Sequence, residues 1–582
     1  MLRVVFETPA QPNLRGGGGG SPRPLVSWGL YLALVAVVAV AFHALWSGLG
    51  VLNDDYPAVY LRIHQYFQEF RLGHLPQVFP DVVRGGGSAF PRFYPPLAYY
   101  VGAGIYGLVG DIVWAGHLTA LLSVVLSAIA MAWAAQRLGV PFGVAVVAGL
   151  AYATFPYRFT NVIVRGALAE SWALVWLPLV FSAAVRLAQG SGSGLALAVP
   201  ICLLLVTHTG LALWALPLVM ATVLASVPVR RLAWASGALV GWGAAGVALA
   251  AWYLIPLWYY LPGVRASDPV VMWATAPDFA SWHVEWGKVL GLDRLAVNLR
   301  TGLPLRVPMA LSIGLPSLMM PIALLMARSN TNRLVPRARR GLPLELATGM
   351  ATALVLLVMV YPSTVSNWLP QPWLYLQFPY RMAGVAGMFA TMATALALGR
   401  LGAPRVGAVL FAVWAFVVGG TVVFEANRPT PAKQVTQDTL LALLASRDKG
   451  LTARYEYLPK VNRPEALGPR VQAARNALRA TAVRFHDSTN ALQVTVQVPR
   501  PTQITFPRVA YDFLRIVDQA GRDLPVSSDD GLLAVSLPAG YQVLTVKRRI
   551  PWPTRLAVGG TLLTAVLLAL VMGRRPLRRV PP

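Results

Sequence analysis

Acidic residues are scarce in this chain: 23 Asp and Glu stand against 49 Lys and Arg in 582 residues, and charged residues of both signs make up only 12%. Ordinary soluble domains carry roughly a quarter charged residues, so a water-soluble fold is excluded. Cysteine is scarcer still. Cys202 is the single one and lies in an apolar run, which removes a disulfide framework, a thiolate metal site and thiol redox chemistry. Sustained polar sequence is missing until Glu425.

Apolar residues fill the space: the chain is 56% hydrophobic. Stretches of about 17 to 25 apolar residues recur along it, each long enough to cross a hydrocarbon core of ~30 Å as a helix. The net charge of +26 does not make it a nucleic-acid binder, because the arginines fall in short clusters between apolar runs. Such clusters stand at Arg137, Arg186, Arg230-Arg231, Arg328 to Arg340, Arg400 to Arg405 and Arg574 to Arg579, and they belong on the cytoplasmic side. The runs between them, from Ser27 to Trp46 through Val307 to Met326 and Val406 to Phe424 to Leu556 to Met572, give about twelve spans with both termini cytoplasmic. Tyr94 to Ile112 is also apolar, but a crossing there would put every later arginine cluster on the wrong side. With Tyr94-Pro95-Pro96 and four glycines it reads as a juxtamembrane or re-entrant helix.

The expected organisation is therefore a cytoplasmic tail over 1–26, a helical membrane region over 27–424 with its first outer loop at 47–112, an outer β-rich domain over 425–553, and a final span with a basic tail over 554–582. The β-rich assignment rests on alternation: Leu492, Val494, Val496 and Val498, then Leu533, Val535 and Leu537, then Val543 and Val546. Turn signals at Asp530-Gly531 and Pro538-Ala539-Gly540 separate these strands, as in a small antiparallel sandwich.

Carboxylates near lipid are costly and so mark candidate sites. Glu170 is the only acid between Ile112 and Ser267, at the outer end of a span beside Arg165, with Arg158 just upstream. A glutamate there also suits the helix dipole and an arginine partner. Asp54-Asp55 opens a first outer loop that holds Arg62, His64, Arg84, Arg92 and Tyr94 and is punctuated by glycine and proline. A carboxylate so placed can act as general base on a hydroxyl or hold a divalent cation, while arginines bind a phosphate leaving group. His64 and His208 can donate to phosphate or close a local hydrogen bond. Arg381, at another outer span end, can pair with a lipid phosphate or anchor the interface. Trp273, Trp282 and Trp286 can stack on sugar faces or populate the membrane interface.

Asp54, His64, Gly73, Pro76, Gly85 to Gly87 and Pro91-Arg92-Phe93-Tyr94-Pro95-Pro96-Leu97 resemble the first outer loop of bacterial glycosyltransferases of the GT-C class. More narrowly they resemble the membrane-protein family labelled as related to 6-pyruvoyl-tetrahydropterin synthase. Tyr157-Arg158 with Asn161, Arg165-Gly166-Ala167-Leu168-Ala169-Glu170, Thr207-His208 and Gln377-Phe378-Pro379-Tyr380-Arg381 extend the likeness over the first two thirds of the chain. No zinc-histidine site of the soluble pterin enzyme can be placed here. The GT-C resemblance implies transfer of a sugar from a polyprenyl-phosphate donor to an outer glycan, lipid or protein acceptor, in a bacterial plasma membrane. It implies Asp54, Asp55 and Glu170 as catalytic acids, with Asp54 and Glu170 able to hold a divalent cation such as Mg or Mn. Around them, His64, Arg92, Tyr94, Arg158, Arg165, His208 and Arg381 would bind substrate and phosphate. A lipid or polysaccharide flippase and a non-catalytic envelope scaffold are the rival readings, although no internal repeat of the transporter kind is visible.

Overall fold

The computed structural model describes residues 24–46, 50–51, 55–79, 82–290, 320–322, 324–325, 342–400, 434–445, 457–460, 466–487 and 492–573. The expected span Val406 to Phe424, most of the expected span Val307 to Met326, both ends of the chain and Asp54 lie outside these residues.

Long apolar segments become helices because lipid offers the backbone no hydrogen-bond partner of its own. They are α1 (Pro24–Ala41), α4 (Ile112–Arg137), α5 (Phe142–Thr154), α6 (Leu168–Ala188), α7 (Gly194–Leu205), α8 (Thr209–Ser226), α9 (Val229–Leu249), α10 (Ala251–Tyr260), α11 (Leu344–Val360), α12 (Ala383–Arg400) and α14 (Trp552–Gly573). Among the described residues six segments are long and apolar enough to cross a membrane, and the bent pair Phe142–Thr154 plus Pro156–Val164 makes a seventh. The pair bends by 49° at the break before Pro156, and its second arm ends in a turn of π-helix over Thr160–Val164. The protein is thus a helical membrane protein, and an exact count of twelve spans is not reached within the described residues.

Two further helices lie in the loop between α1 and α4. α2 (Tyr56–Arg71) starts directly after Asp55, and α3 (Leu97–Val109) is 13 residues long, short of the ~20 needed to span. The chain then turns at Gly110, and the Asp111 carboxylate caps α4 by accepting from the Trp114 amide at 2.9 Å. α4 and α6 pack closely along their buried faces, where the Ser123 and Ser171 hydroxyls share a hydrogen bond of 2.5 Å.

The C-terminal polar region folds as two antiparallel sheets behind helix α13 (Leu467–Thr481). Its strands are β1 (Ala482–Asp487), β2 (Leu492–Val498), β3 (Thr502–Val509), β4 (Leu514–Val517), β5 (Asp523–Leu524), β6 (Val526–Asp529), β7 (Leu532–Leu537) and β8 (Gly540–Arg548). One sheet runs β1-β2-β8-β4-β5 and the other β3-β7-β6. Asp529 pairs with Leu532 across Asp530-Gly531, whose φ values of 46° and 89° suit a primed hairpin turn. Leu492, Val494, Val496, Val498, Leu533, Val535 and Leu537 are buried as the alternation requires. In β8 the core residue is Leu544; Val546, two residues on, packs half-buried against the same core, and Val543 lies half-buried on the opposite face.

These sheets share a core with the first outer loop: Val78, Ala89 and Phe93 pack with Val471, Phe506, Val509 and Phe513. The approach is close enough that a Cβ on Gly86 would stand 2.6 Å from Val471, which only glycine avoids. Backbone bonds stitch the two together, Val509 N donating to Gly86 O at 2.8 Å.

Candidate functional site

Several element ends converge on one cavity of about 810 Å³: the start of α2, the Phe90–Pro95 turn, the start of α6, the start of α8, α10, the segment 266–282 and the segment 372–381. Asp55, Arg62, Tyr94, Arg165, His208 and Arg381 line it. Glu170 stands just behind this wall, 2% exposed, and holds two of the arginines.

Local geometry explains the gathering. Gly166 adopts φ 63° and lies against the Tyr56 ring, where a Cβ would come within 2.7 Å of it. This tight turn carries the chain from the π-helical turn into α6, with Arg165 before it and Glu170 in the helix's first turn, where the dipole favours an anion. Arg165 Nη1 donates to Glu170 Oε2 at 2.9 Å, and the Tyr157 hydroxyl donates to Glu170 Oε1 at 2.5 Å. Arg381 Nε stands 4.0 Å from the same Oε2. The Arg165 carbonyl accepts from the Asp55 amide at 2.9 Å, which ties the start of α2 to the arginine turn.

Around this centre the remaining side chains are held by packing. Arg381 Nη1 donates to Leu376 O at 3.0 Å and Gln377 Oε1 at 3.1 Å, and its head lies over the Phe378 ring. Arg62 donates to the Tyr99 hydroxyl at 3.0 Å and lies 4.1 Å over the Phe90 ring, within reach of Tyr94. His208 caps α8: its Nδ1 accepts from the Leu211 amide at 3.1 Å. Burial pushes the His208 imidazole down to about 4, against the pull of Glu170, so the ring is neutral and its Nε2 carries the proton. Burial also raises the Tyr94 hydroxyl far above its ordinary value, which keeps it a donor. Among the described residues no side chain is hydrogen-bonded to the Asp55 carboxylate. One flank of the cavity is apolar and aromatic, with Leu254, Leu257, Trp258, Met272, Trp273 and Trp282.

Three residues expected at the site lie elsewhere. Arg158 is fully buried between α4 and α6, donating to Ser127 Oγ at 2.7 Å and to the Ser171 carbonyl at 3.2 Å, so it locks helices and does not face the cavity. His64 turns to the Tyr106 hydroxyl at 3.3 Å on the α3 side of α2. Arg92 is buried against the sheets, donating to Gln77 and sandwiched between the Tyr260 and Phe513 rings. Asp54 is outside the described residues. Conversely, Arg62, Tyr157 and Tyr380 belong to the centre without being expected there. Arg62 could have been found, since two helical turns from Asp55 put both on one face of α2.

Among the described residues no group of three or more His, Cys, Asp or Glu able to hold a metal occurs, and both Glu170 oxygens accept from cationic or phenolic donors; Asp54, the other expected cation ligand, lies outside them. Three guanidiniums, those of Arg62, Arg165 and Arg381, line the cavity with the Asp55 carboxylate.

The sequence profile of a family described as 6-pyruvoyl-tetrahydropterin synthase related domain, membrane protein, matches residues 91–427, more than half of the 582. The chain belongs to that family. No curated protein matches. Among solved structures, an arabinofuranosyltransferase from Mycobacteria aligns at 15% identity and a TM-score of 0.43, over 90% of this chain and 40% of that one. An Archaeoglobus fulgidus oligosaccharyltransferase, described in complex with Zn and sulfate, aligns at 14% and 0.37 over 68% of this chain and 52% of that one. ArnT from Cupriavidus metallidurans, bound to undecaprenyl phosphate, aligns at 15% and 0.36 over 78% and 73%. The chain spans less than half of the mycobacterial enzyme and about half of the oligosaccharyltransferase.

Proposed function

We propose that this member of the pterin-synthase-related membrane family is a glycosyltransferase that takes a sugar from a polyprenyl-phosphate donor and passes it to an acceptor on the outer side of a bacterial plasma membrane. The observation that carries the reading is the meeting, in one cavity, of the Asp55 carboxylate with the Arg62, Arg165 and Arg381 guanidiniums beside an apolar flank. A phosphate diester bearing a long lipid needs that combination: fixed cations for the charge and an apolar wall, here Leu254, Leu257 and Trp258 of α10, for the first isoprene units.

In this mechanism Arg381 and the Nε2–H of His208 hold the donor phosphate, and Glu170 keeps Arg165 and Arg381 aligned. Asp55 accepts the proton of the acceptor hydroxyl as its oxygen attacks the anomeric carbon. The bond from that carbon to the phosphate oxygen breaks, and polyprenyl phosphate leaves with the electron pair, its new charge met by the arginines. Glu170 is occupied by its ion pairs, which leaves one working carboxylate among the described residues. That favours direct displacement with inversion over a two-carboxylate double displacement. The membrane region, the first outer loop and the sheets act as one unit in this reading, with the sheets outside.

The test is purified full-length protein in nanodiscs, titrated with undecaprenyl phosphate and assayed with an undecaprenyl-phosphoryl sugar. Binding that weakens about tenfold or more in Arg381→Ala supports the reading. A folded protein that binds neither undecaprenyl phosphate nor the sugar-bearing donor overturns it.

A further inference from the structure

Two residues of the cavity have backbones that L side chains rarely adopt. Of the five described non-glycine residues in left-handed conformation, Trp273 at φ 50° and Gln377 at φ 69° both line this one cavity. Such conformations are costly for a bulky residue and persist only where the surroundings fix them. Here they are fixed from both sides. Gln377 Nε2 donates to the Met272 carbonyl at 2.7 Å, and Gln371 Nε2 donates to the Ala274 carbonyl at 2.9 Å, so the chain is held by a glutamine just before Trp273 and again one residue after it.

The indole so presented is half exposed. Trp282, similarly exposed, stands on the same cavity and packs edge-on against the Phe378 and Tyr380 rings. An interfacial anchor would need no such arrangement, because a tryptophan in a membrane belt does its work from any ordinary backbone. A fixed aromatic face serves a ligand whose orientation matters. Gln377 also accepts from Arg381 at 3.1 Å, so one side chain joins the tryptophan segment to the arginine that would hold the donor phosphate.

We infer that Trp273 and Trp282 form the acceptor platform, and that the acceptor is a carbohydrate whose C–H face stacks on these rings while a hydroxyl points to Asp55. This rests on the glycosyltransfer reading and selects a glycan over a lipid or peptide acceptor. Stacking on a fixed aromatic face requires no charge on the ligand, which suits a neutral saccharide entering a cavity whose cations are engaged by phosphate.

The test uses full-length protein in nanodiscs and calorimetric titration with short linear oligosaccharides of arabinose, galactose, mannose or glucose, and separately with undecaprenyl phosphate. Trp273→Gly is the cleanest variant, because glycine suits the left-handed backbone and only the indole is lost. At least one saccharide should bind the wild type, about tenfold more weakly to Trp273→Gly and within about threefold to Trp273→Phe, with undecaprenyl phosphate affinity unchanged in both. Trp282→Ala should weaken the same saccharide. If no saccharide binds, or if Trp273→Gly leaves saccharide affinity unchanged while undecaprenyl phosphate still binds, the platform is overturned alone. If saccharide binding depends on Trp273 but undecaprenyl phosphate does not bind, the donor reading is overturned and the platform stands.

Discussion

Among the described residues two buried carboxylates each face a pair of arginines, one in the helical part and one at the sheets. At the sheets, Asp487 accepts from Arg475 Nε at 2.7 Å and from Arg508 Nη2 at 2.6 Å. Those arginines also donate to the Arg84 and Gly85 carbonyls of the first outer loop, at 2.7 Å and 2.8 Å. That cluster is closed. At the cavity, Glu170 is 2.9 Å from Arg165 but 4.0 Å from Arg381, whose buried Nε has no hydrogen-bond partner. The same three groups therefore serve two ends. Where both arginines reach the carboxylate within 2.7 Å and also bond loop carbonyls the cluster fastens loop to sheet, and where one stands 4.0 Å off and lines a cavity it is placed to receive an anion.

The largest effect should follow from Asp55, which lines the cavity and has no side-chain hydrogen bond among the described residues. Asp55→Asn should lower sugar transfer by about 100-fold or more while undecaprenyl phosphate affinity and the melting temperature stay unchanged. Unchanged transfer in a folded variant would remove Asp55 as the base. At the closed cluster the loss should be of stability instead. Asp487→Asn leaves two buried guanidiniums without their anion, and unfolding measured by thermal denaturation should cost about 3 kcal/mol less. A stable Asp487→Asn protein would mean that the loop is fastened by apolar packing alone.

The pH dependence of that contribution has a definite sign. Burial by itself raises the Asp487 carboxyl, but Arg508 and Arg475 outweigh it and hold the group below its ordinary value. A depressed folded value gives stability that is present above the unfolded value, about 3.9, and lost as pH falls through the folded one. The gap in melting temperature between wild type and Asp487→Asn should therefore be constant from about pH 7 to 5 and shrink below about pH 4. The smallest effect is expected at His64, which faces Tyr106 and not the cavity: His64→Ala should change transfer by less than about twofold. A large loss there would extend the site to the α3 side of α2.

Much of this architecture is written in local sequence. Apolar runs show the helices, the Asp530-Gly531 hairpin shows β6 and β7, and the isolated Glu170 shows a special span end. The site is legible in part. Asp55, Tyr94, Arg165, His208 and Arg381 are residues of unusual type at helix ends, and all of them reach the cavity. Arg158 has the same type and the same neighbourhood, yet it enters the α4–α6 seam, where Ser127 and backbone carbonyls take its donors. Arg92 likewise goes to the sheets. Whether an arginine faces a cavity or a seam depends on which face of a bent helix the neighbours cover, and no spacing in the chain records that.

Composition, hydrophobic period and arginine placement determined that this is a helical membrane protein with a C-terminal sheet region, because those properties act on each segment separately. The low acid content also determined which few carboxylates could matter. Only tertiary structure decided that Asp55, Glu170 and Arg381, far apart along the chain, meet at one cavity wall, and that Trp273 is held at its rim. Those outcomes come from packing between distant segments, where a 4.0 Å gap at Arg381 and a 2.6 Å bond at Arg508 make the difference between a site and a fastening.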